Sequence, residues 1–286
     1  MASSSASSPL GTEELWEATA KLARCLQQSN VKFSISGGAA SSLNRKHHGL
    51  RPRLTEDIDL VVQPRPGVSA ETVSASLLRD HPDAFVARMV YGVAIPSLIF
   101  HRSDGSVKHV DIEMFDVGVW PQRPQYNLDD PKNEVTVIPV SGVDVPVFSA
   151  RWLVREKIVT AYQRQGSTKE VSDLDDACVL VDVVKVSSVD LTDHVEAVRH
   201  IYNKRREKRP QLELKIICPE AFGQPWKWHE SAQVYWRTEQ AGLRYLDAHL
   251  QRHDFSWDDR AKVWYFQFQE KCWYYNADAQ DLTQRS

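Results

Sequence analysis

The sequence predicts an α+β fold, a mixed sheet flanked by helices and followed by a mostly helical C-terminal region. Three observations lead there. Short strand-like runs such as residues 31–36 (VKFSIS) and 57–62 (DIDLVV) interleave with helical patterns in the first half of the chain. Helical spacing of apolar residues dominates from residue 150 onward. Hydrophobic residues make up 42% and charged residues 26% of the 286 positions, the balance of a chain that buries a core.

The elements follow in order. Residues 13–28 place Leu15, Trp16, Leu22, Ala23 and Leu26 at helical spacing, with Thr19 on the same face. Residues 31–36 alternate as a strand does, and Gly37-Gly38 turns the chain into a helix start. Residues 44–53 are basic and hold Gly49 and Pro52, which reads as a loop. The strand 57–62 ends at Pro64, Pro66 and Gly67. A helix over 70–80, strands over 85–90, 95–101 and 107–117, and a closing hairpin over 135–139 and 143–148 complete this half. Helices over 150–165, 171–184 and 191–208 come next, and the aromatic tail 231–278 reads as helical. The expected organisation is a disordered tail at 1–12, a core at 13–149, a helical extension at 150–185 and a helical, aromatic-rich domain at 186–286.

Composition narrows the function. A net charge of −3 speaks against a generally basic nucleic-acid binder. Cys25, Cys178, Cys218 and Cys272 are far apart, with neither a zinc-site spacing nor a disulfide framework, as expected of reduced thiols in a cytoplasmic protein. No apolar run approaches ~20 residues, so no membrane span is expected. The Ser/Ala-rich start lacks the basic and apolar regions of a secretory signal.

Three pieces carry chemistry. Glycines 37 and 38 at a strand-to-helix turn let the backbone approach phosphate oxygens, and helix-start amides attract the anion. Asp57 and Asp59, two apart in a strand, face one side while Ile58 and Leu60 face the core. Carboxylates this close repel unless a cation bridges them, and hard oxygen ligands favour magnesium with triphosphate oxygens completing the shell. Asp111, on a later strand, is the expected third ligand, with Glu113 on the same face as its substitute. Two such ions would clamp the attacking and leaving oxygens of an in-line phosphoryl displacement. A glycosyltransferase DxD is the weaker alternative, since residues 53–56 form no hydrophobic strand ahead of Asp57. A catalytically inactive nucleotide- or RNA-binding module is another, against which the intact acid pair speaks.

Residues 35–38 together with Arg53, Leu54, Thr55, Glu56, Asp57, Ile58 and Asp59 resemble the pattern GG…RxTxDID of the AbiEii-type toxin nucleotidyltransferases, a branch of the polymerase-β superfamily. Glu156-Lys157, Arg164 and Asp173-Leu174-Asp175-Asp176 resemble that family's second region, so the likeness runs over about residues 31–180. It implies a polymerase-β-like nucleotidyltransferase core using Mg²⁺ and a nucleoside triphosphate, with RNA such as tRNA, a protein or a small molecule as acceptor. It implies nucleotide contacts for Gly37, Gly38, Ser41, Arg53, Thr55, Lys157 and Asp173, and makes 150–185 the part that completes the nucleotide site. On their own, Lys157 is either a snorkelling surface lysine or a phosphate ligand. The basic residues Arg45, Lys46, His47, His48, Arg51 and Arg53 form either a solvated loop or a lid over phosphate or RNA. The tail aromatics are either core or stacking platforms for bases.

Overall fold

A computed structural model describes residues 10–90, 92–121, 123–184, 189, 191–205, 227–232, 234–239, 242–246, 252–268 and 270–284. The chain forms two compact units, Met1–Leu153 and Val154–Ser286.

The first unit opens with α1 (Thr12–Gln28), whose start is set by the Glu14 carboxylate accepting from the Gly11 N–H at 2.7 Å. Leu15, Trp16, Leu22, Ala23 and Leu26 are buried, as the helical spacing predicts. Leu10 is buried too, and residues 1–9 of the expected N-terminal tail lie outside the described residues. Then come β1 (Phe33–Ile35), α2 (Gly37–His47), β2 (Asp57–Val62), α3 (Ala70–Asp80), β3 (Phe85–Val90), β4 (Val93–His101), β5 (Val107–Phe115), β6 (Val135–Val140) and β7 (Val143–Phe148). They build one seven-stranded mixed sheet in the order β3-β4-β5-β2-β1-β7-β6. Strands β2 and β5 are parallel neighbours, as are β1 and β7, and the other pairs are antiparallel.

Helix α2 runs further than the sequence predicts. Residues 44–47 were expected to start a loop, yet Asn44 and Arg45 are buried inside the helix. The Asn44 amide donates to the carbonyls of Ala40 and of Phe148 on β7, each at 3.0 Å, which ties the helix end to the sheet. A residue read as a loop former is held helical by a tertiary hydrogen bond.

The second unit holds the rest of α4 (Ala150–Gln163), then α5 (Thr168–Leu180) and α6 (Val195–Arg205). From Lys227 the described residues are strands, which corrects the expected helical C-terminal region. A four-stranded sheet, β11-β10-β9-β8, is built from β8 (Lys227–His229), β9 (Val234–Glu239), β10 (Gly242–Leu246) and β11 (Arg252–Asp254). A second, β12-β13-β14-β15, is built from β12 (Ser256–Asp258), β13 (Val263–Phe268), β14 (Lys271–Asn276) and β15 (Asp281–Gln284). The period is two: Trp264, Phe266 and Phe268 turn to the core while Tyr265 and Gln267 turn away. The two sheets share one core of Val234, Trp236, Leu243, Tyr245, Phe255, Phe266, Trp273 and Leu282. Dense aromatics satisfy an irregular helical spacing in sequence, whereas aromatics in alternation suit a pleated, half-buried surface. Lys262, Glu270 and Gln280 adopt positive φ in the connecting turns, where no glycine marks a hairpin in the sequence. The residues expected to continue α6 to 208, and Trp226, lie outside the described residues.

Candidate active site

The register of β2 and β5 brings the acids together. Asp57 pairs with Asp111 and Asp59 with Glu113, so two acids on each of two parallel strands share one face. Neighbouring strands lie about 4.8 Å apart, which sets the backbones of the four acidic residues side by side. On the opposite face Ile58, Leu60 and Ile112 are fully buried, so the core fixes which way the acids point.

The start of α2 meets this row. Gly37 has φ +61°, and a Cβ there would lie 1.8 Å from Asp59 Oδ2. A Cβ on Gly38 would lie 2.7 Å from both Arg53 Nη2 and Thr55 Oγ1. The two glycines therefore make room for three side chains of the RxTxDID run. Ser36 gives the helix start no side-chain cap. The Thr55 hydroxyl donates to Asp57 Oδ1 at 2.7 Å. Ser41 is buried, and its hydroxyl donates back to the Gly37 carbonyl at 3.1 Å, bracing the glycine turn from within the helix.

Sequence reasoning missed two groups. Arg88 of β3 reaches Asp111 Oδ1 at 2.8 Å. No local pattern signals that pair, because it forms across β4. Asp116, just past β5, is buried and accepts from the N–H groups of Ala70 and Val119, each at 2.8 Å, anchoring the start of α3.

The donor set and the strand register fit a hard divalent cation. The side chains, however, are turned to other partners, Asp57 to Thr55 and Asp111 to Arg88. Among the described residues no three His, Cys, Asp or Glu side chains are grouped closely enough to hold a metal ion. Ligation by Asp57, Asp59 and Asp111 thus asks for rotation of side chains on a backbone already in place.

The basic stretch divides. Lys46 lies 3.4 Å over the Trp16 ring and 3.4 Å from Glu13, and Arg45 is buried, so both belong to the packing of α2. Burial, helped by the neighbouring His47, pushes the His48 ring below its ordinary value. Arg53 is placed against the glycine turn, its Nη2 2.7 Å from where a Cβ on Gly38 would lie. A cavity of about 490 Å³ lies elsewhere in this unit, lined by Lys32, Phe33, Leu128, Asp129 and Glu134 and by none of the acids above.

In the second unit Lys157 is buried, with its Nζ 2.8 Å from Asp173 and 3.3 Å from Asp176. Arg164 adds a contact to Asp173 at 3.2 Å. The motif residues of α4 and α5 therefore form an ion-pair cluster in which the lysine charge already faces two acids.

No helix among the described residues is long and apolar enough to cross a membrane, and Cys25 and Cys178 are buried. Burial pushes the Cys25 thiol above its ordinary value.

A glycine-led helix beside facing acids on parallel strands, carried on a mixed sheet, is the arrangement of a nucleotidyltransferase. The family model described as "Nucleotidyl transferase AbiEii toxin, Type IV TA system" matches residues 22–259, and the chain belongs to that family. The match reaches past the quoted motifs into the strands of the second unit. A search of curated proteins gives no significant match. Among solved structures, an antigenic nucleotidyltransferase-like protein from Paracoccidioides brasiliensis is 32% identical, with a TM-score of 0.67 over 76% of this chain and 100% of that one. The antibiotic-resistance factor ANT(2'')-Ia is 15% identical, with a TM-score of 0.34 over 71% of this chain and 95% of that one. Its complex with adenylyl-2''-tobramycin gives 0.35 over 69% and 99%.

Proposed function

We propose that this nucleotidyltransferase moves a nucleoside monophosphate from a nucleoside triphosphate to a hydroxyl acceptor, with Asp57, Asp59 and Asp111 as ligands of Mg²⁺. The observation that carries this is the register of Asp57 on Asp111, next to a helix start where only glycine fits beside Asp59. Bound there, magnesium would supply charge neutralisation on the reacting phosphates.

The remaining work falls to the chain. The acceptor oxygen forms a bond to the α-phosphorus while the bond to the β-phosphate bridging oxygen breaks, and pyrophosphate leaves with that electron pair. The acceptor proton passes to a carboxylate of the row, Asp111 or Glu113, which stand in register with Asp57 and Asp59. Arg53 and the amides of Gly37 and Gly38 hold phosphate oxygens, since positive charge and the N–H groups of a helix start suit that anion. Thr55 holds Asp57 in orientation through its hydroxyl. RNA such as tRNA, a protein side chain and a small molecule all offer the required hydroxyl, and a toxin's damage to its host would follow from modifying either of the first two.

The test is incubation with α-labelled triphosphates, Mg²⁺ and total cellular RNA and protein, in the wild type and in Asp57→Asn and Asp59→Asn. Labelling of one fraction by the wild type, lost in both variants while their far-ultraviolet circular dichroism is kept, is the expected result. Full labelling by either variant would overturn the assignment.

A further inference from the structure

Resting on the nucleotidyl-transfer reading, we propose that Arg88 is a latch that occupies Asp111 in place of the cation and must release it before the metal site closes. Val86, Ser97, Asp111 and Asp57 stand in register across β3, β4, β5 and β2, so they share one face. Arg88, two positions past Val86, lies on that face as well. Its guanidinium spans β4 to reach Asp111 Oδ1 at 2.8 Å. It is thus the positive charge bonded to the third acid of the row, and it sits on an edge strand with 45% of its side chain exposed.

Guanidinium and a divalent cation compete for the same carboxylate oxygen, since each satisfies it by charge. Asp111 is 27% exposed, so the pair is screened and readily exchanged rather than locked. A second observation fits an Asp111 that changes partner. Ser97, directly across from it, is fully buried, and its Oγ has no hydrogen-bond partner among the described residues. A buried hydroxyl without a partner is rare, and this one is placed to donate to the carboxylate once Arg88 lets go. Arg88 is a positioning residue here: it sets where Asp111 points and how tightly the row takes a cation.

The test is Mn²⁺ binding to the full chain, read from the electron paramagnetic resonance of free Mn²⁺, with and without triphosphate. Arg88→Gln should bind Mn²⁺ about two- to fivefold more tightly than the wild type, the gain expected from removing a half-exposed ion pair. Arg88→Lys, which keeps the charge but not the reach, should lie between them. In an Asp111→Asn background the Arg88→Gln gain should vanish, whereas a general field effect would persist. Binding that Arg88→Gln leaves unchanged or weakens, or a gain that survives Asp111→Asn, overturns the latch alone. Should neither the wild type nor Arg88→Gln bind Mn²⁺, even with triphosphate, the latch and the nucleotidyl-transfer site fall together.

Discussion

Gly37 and Asp59 are in such close contact that a methyl group on the glycine would sit 1.8 Å from the carboxylate Oδ2. Gly37 also has φ +61°, where an L side chain costs about 1–2 kcal/mol. Gly37→Ala should therefore do two separable things. The melting temperature should fall modestly, and transfer should fall at least about a hundredfold because Asp59 is pushed off its place, a loss typical of a displaced catalytic group. Thermal melting beside a labelled-triphosphate assay checks both.

Thr55 orients Asp57 through a 2.7 Å hydrogen bond. Removing an orienting partner of a metal ligand typically costs about 10- to 100-fold in affinity or activity. Thr55→Val should lower transfer within that range and raise the Mg²⁺ concentration needed for half-maximal rate. Thr55→Ser, which keeps the hydroxyl, should restore most of it. Equal loss in both variants would point to packing rather than to the hydrogen bond.

Lys157 sits between two carboxylates that are almost fully buried, at 2.8 and 3.3 Å. Taking one partner from a buried ion cluster destabilises by about 3–5 kcal/mol, because the remaining charges are left uncompensated. Lys157→Met should show that loss in urea unfolding without any nucleotide present. A lysine whose main role is to hold triphosphate would leave nucleotide-free stability unchanged. Adding Asp173→Asn should recover part of the loss, as coupled residues do.

Glu170 gives the fold a pH dependence of known sign. The Gly166 amide, at 2.6 Å, and then His200, at 2.8 Å, hold its carboxyl below the usual value, with Lys204 more distant at 3.9 Å. A carboxyl depressed in the folded state stabilises fully above its unfolded value of about 4.3 and loses that contribution as the pH falls through the folded value. Glu170→Gln should therefore melt below the wild type at pH 7, and the gap should narrow steadily below about pH 4. A gap that is constant over that range would exclude the charged hydrogen bonds as its source.

The elements differ in how much of each is written in its own stretch of sequence. Where a strand has one buried face, its alternation states both the element and the side its polar residues take, as in β2, where Ile58 and Leu60 are buried and Asp57 and Asp59 are not. Helix α1 is equally plain from its spacing. Helix α2 outruns its pattern because Asn44 is held by the Phe148 carbonyl, a residue 104 positions away. The strands of the second unit look helical in sequence because clustered aromatics satisfy either period loosely, and the shared two-sheet core that selects period two is assembled from distant segments.

By itself the sequence determined the family, the glycine turn, the acid pair and the face on which that pair lies, because these depend on residue type and on spacings of one to a few positions. Only the tertiary structure decided that Asp111 stands opposite Asp57, that Arg88 has hold of it, and that Lys157 is enclosed by Asp173 and Asp176. Strand order and register are settled by which buried faces pack best over the whole sheet, a sum over long-range contacts that no short stretch of sequence contains.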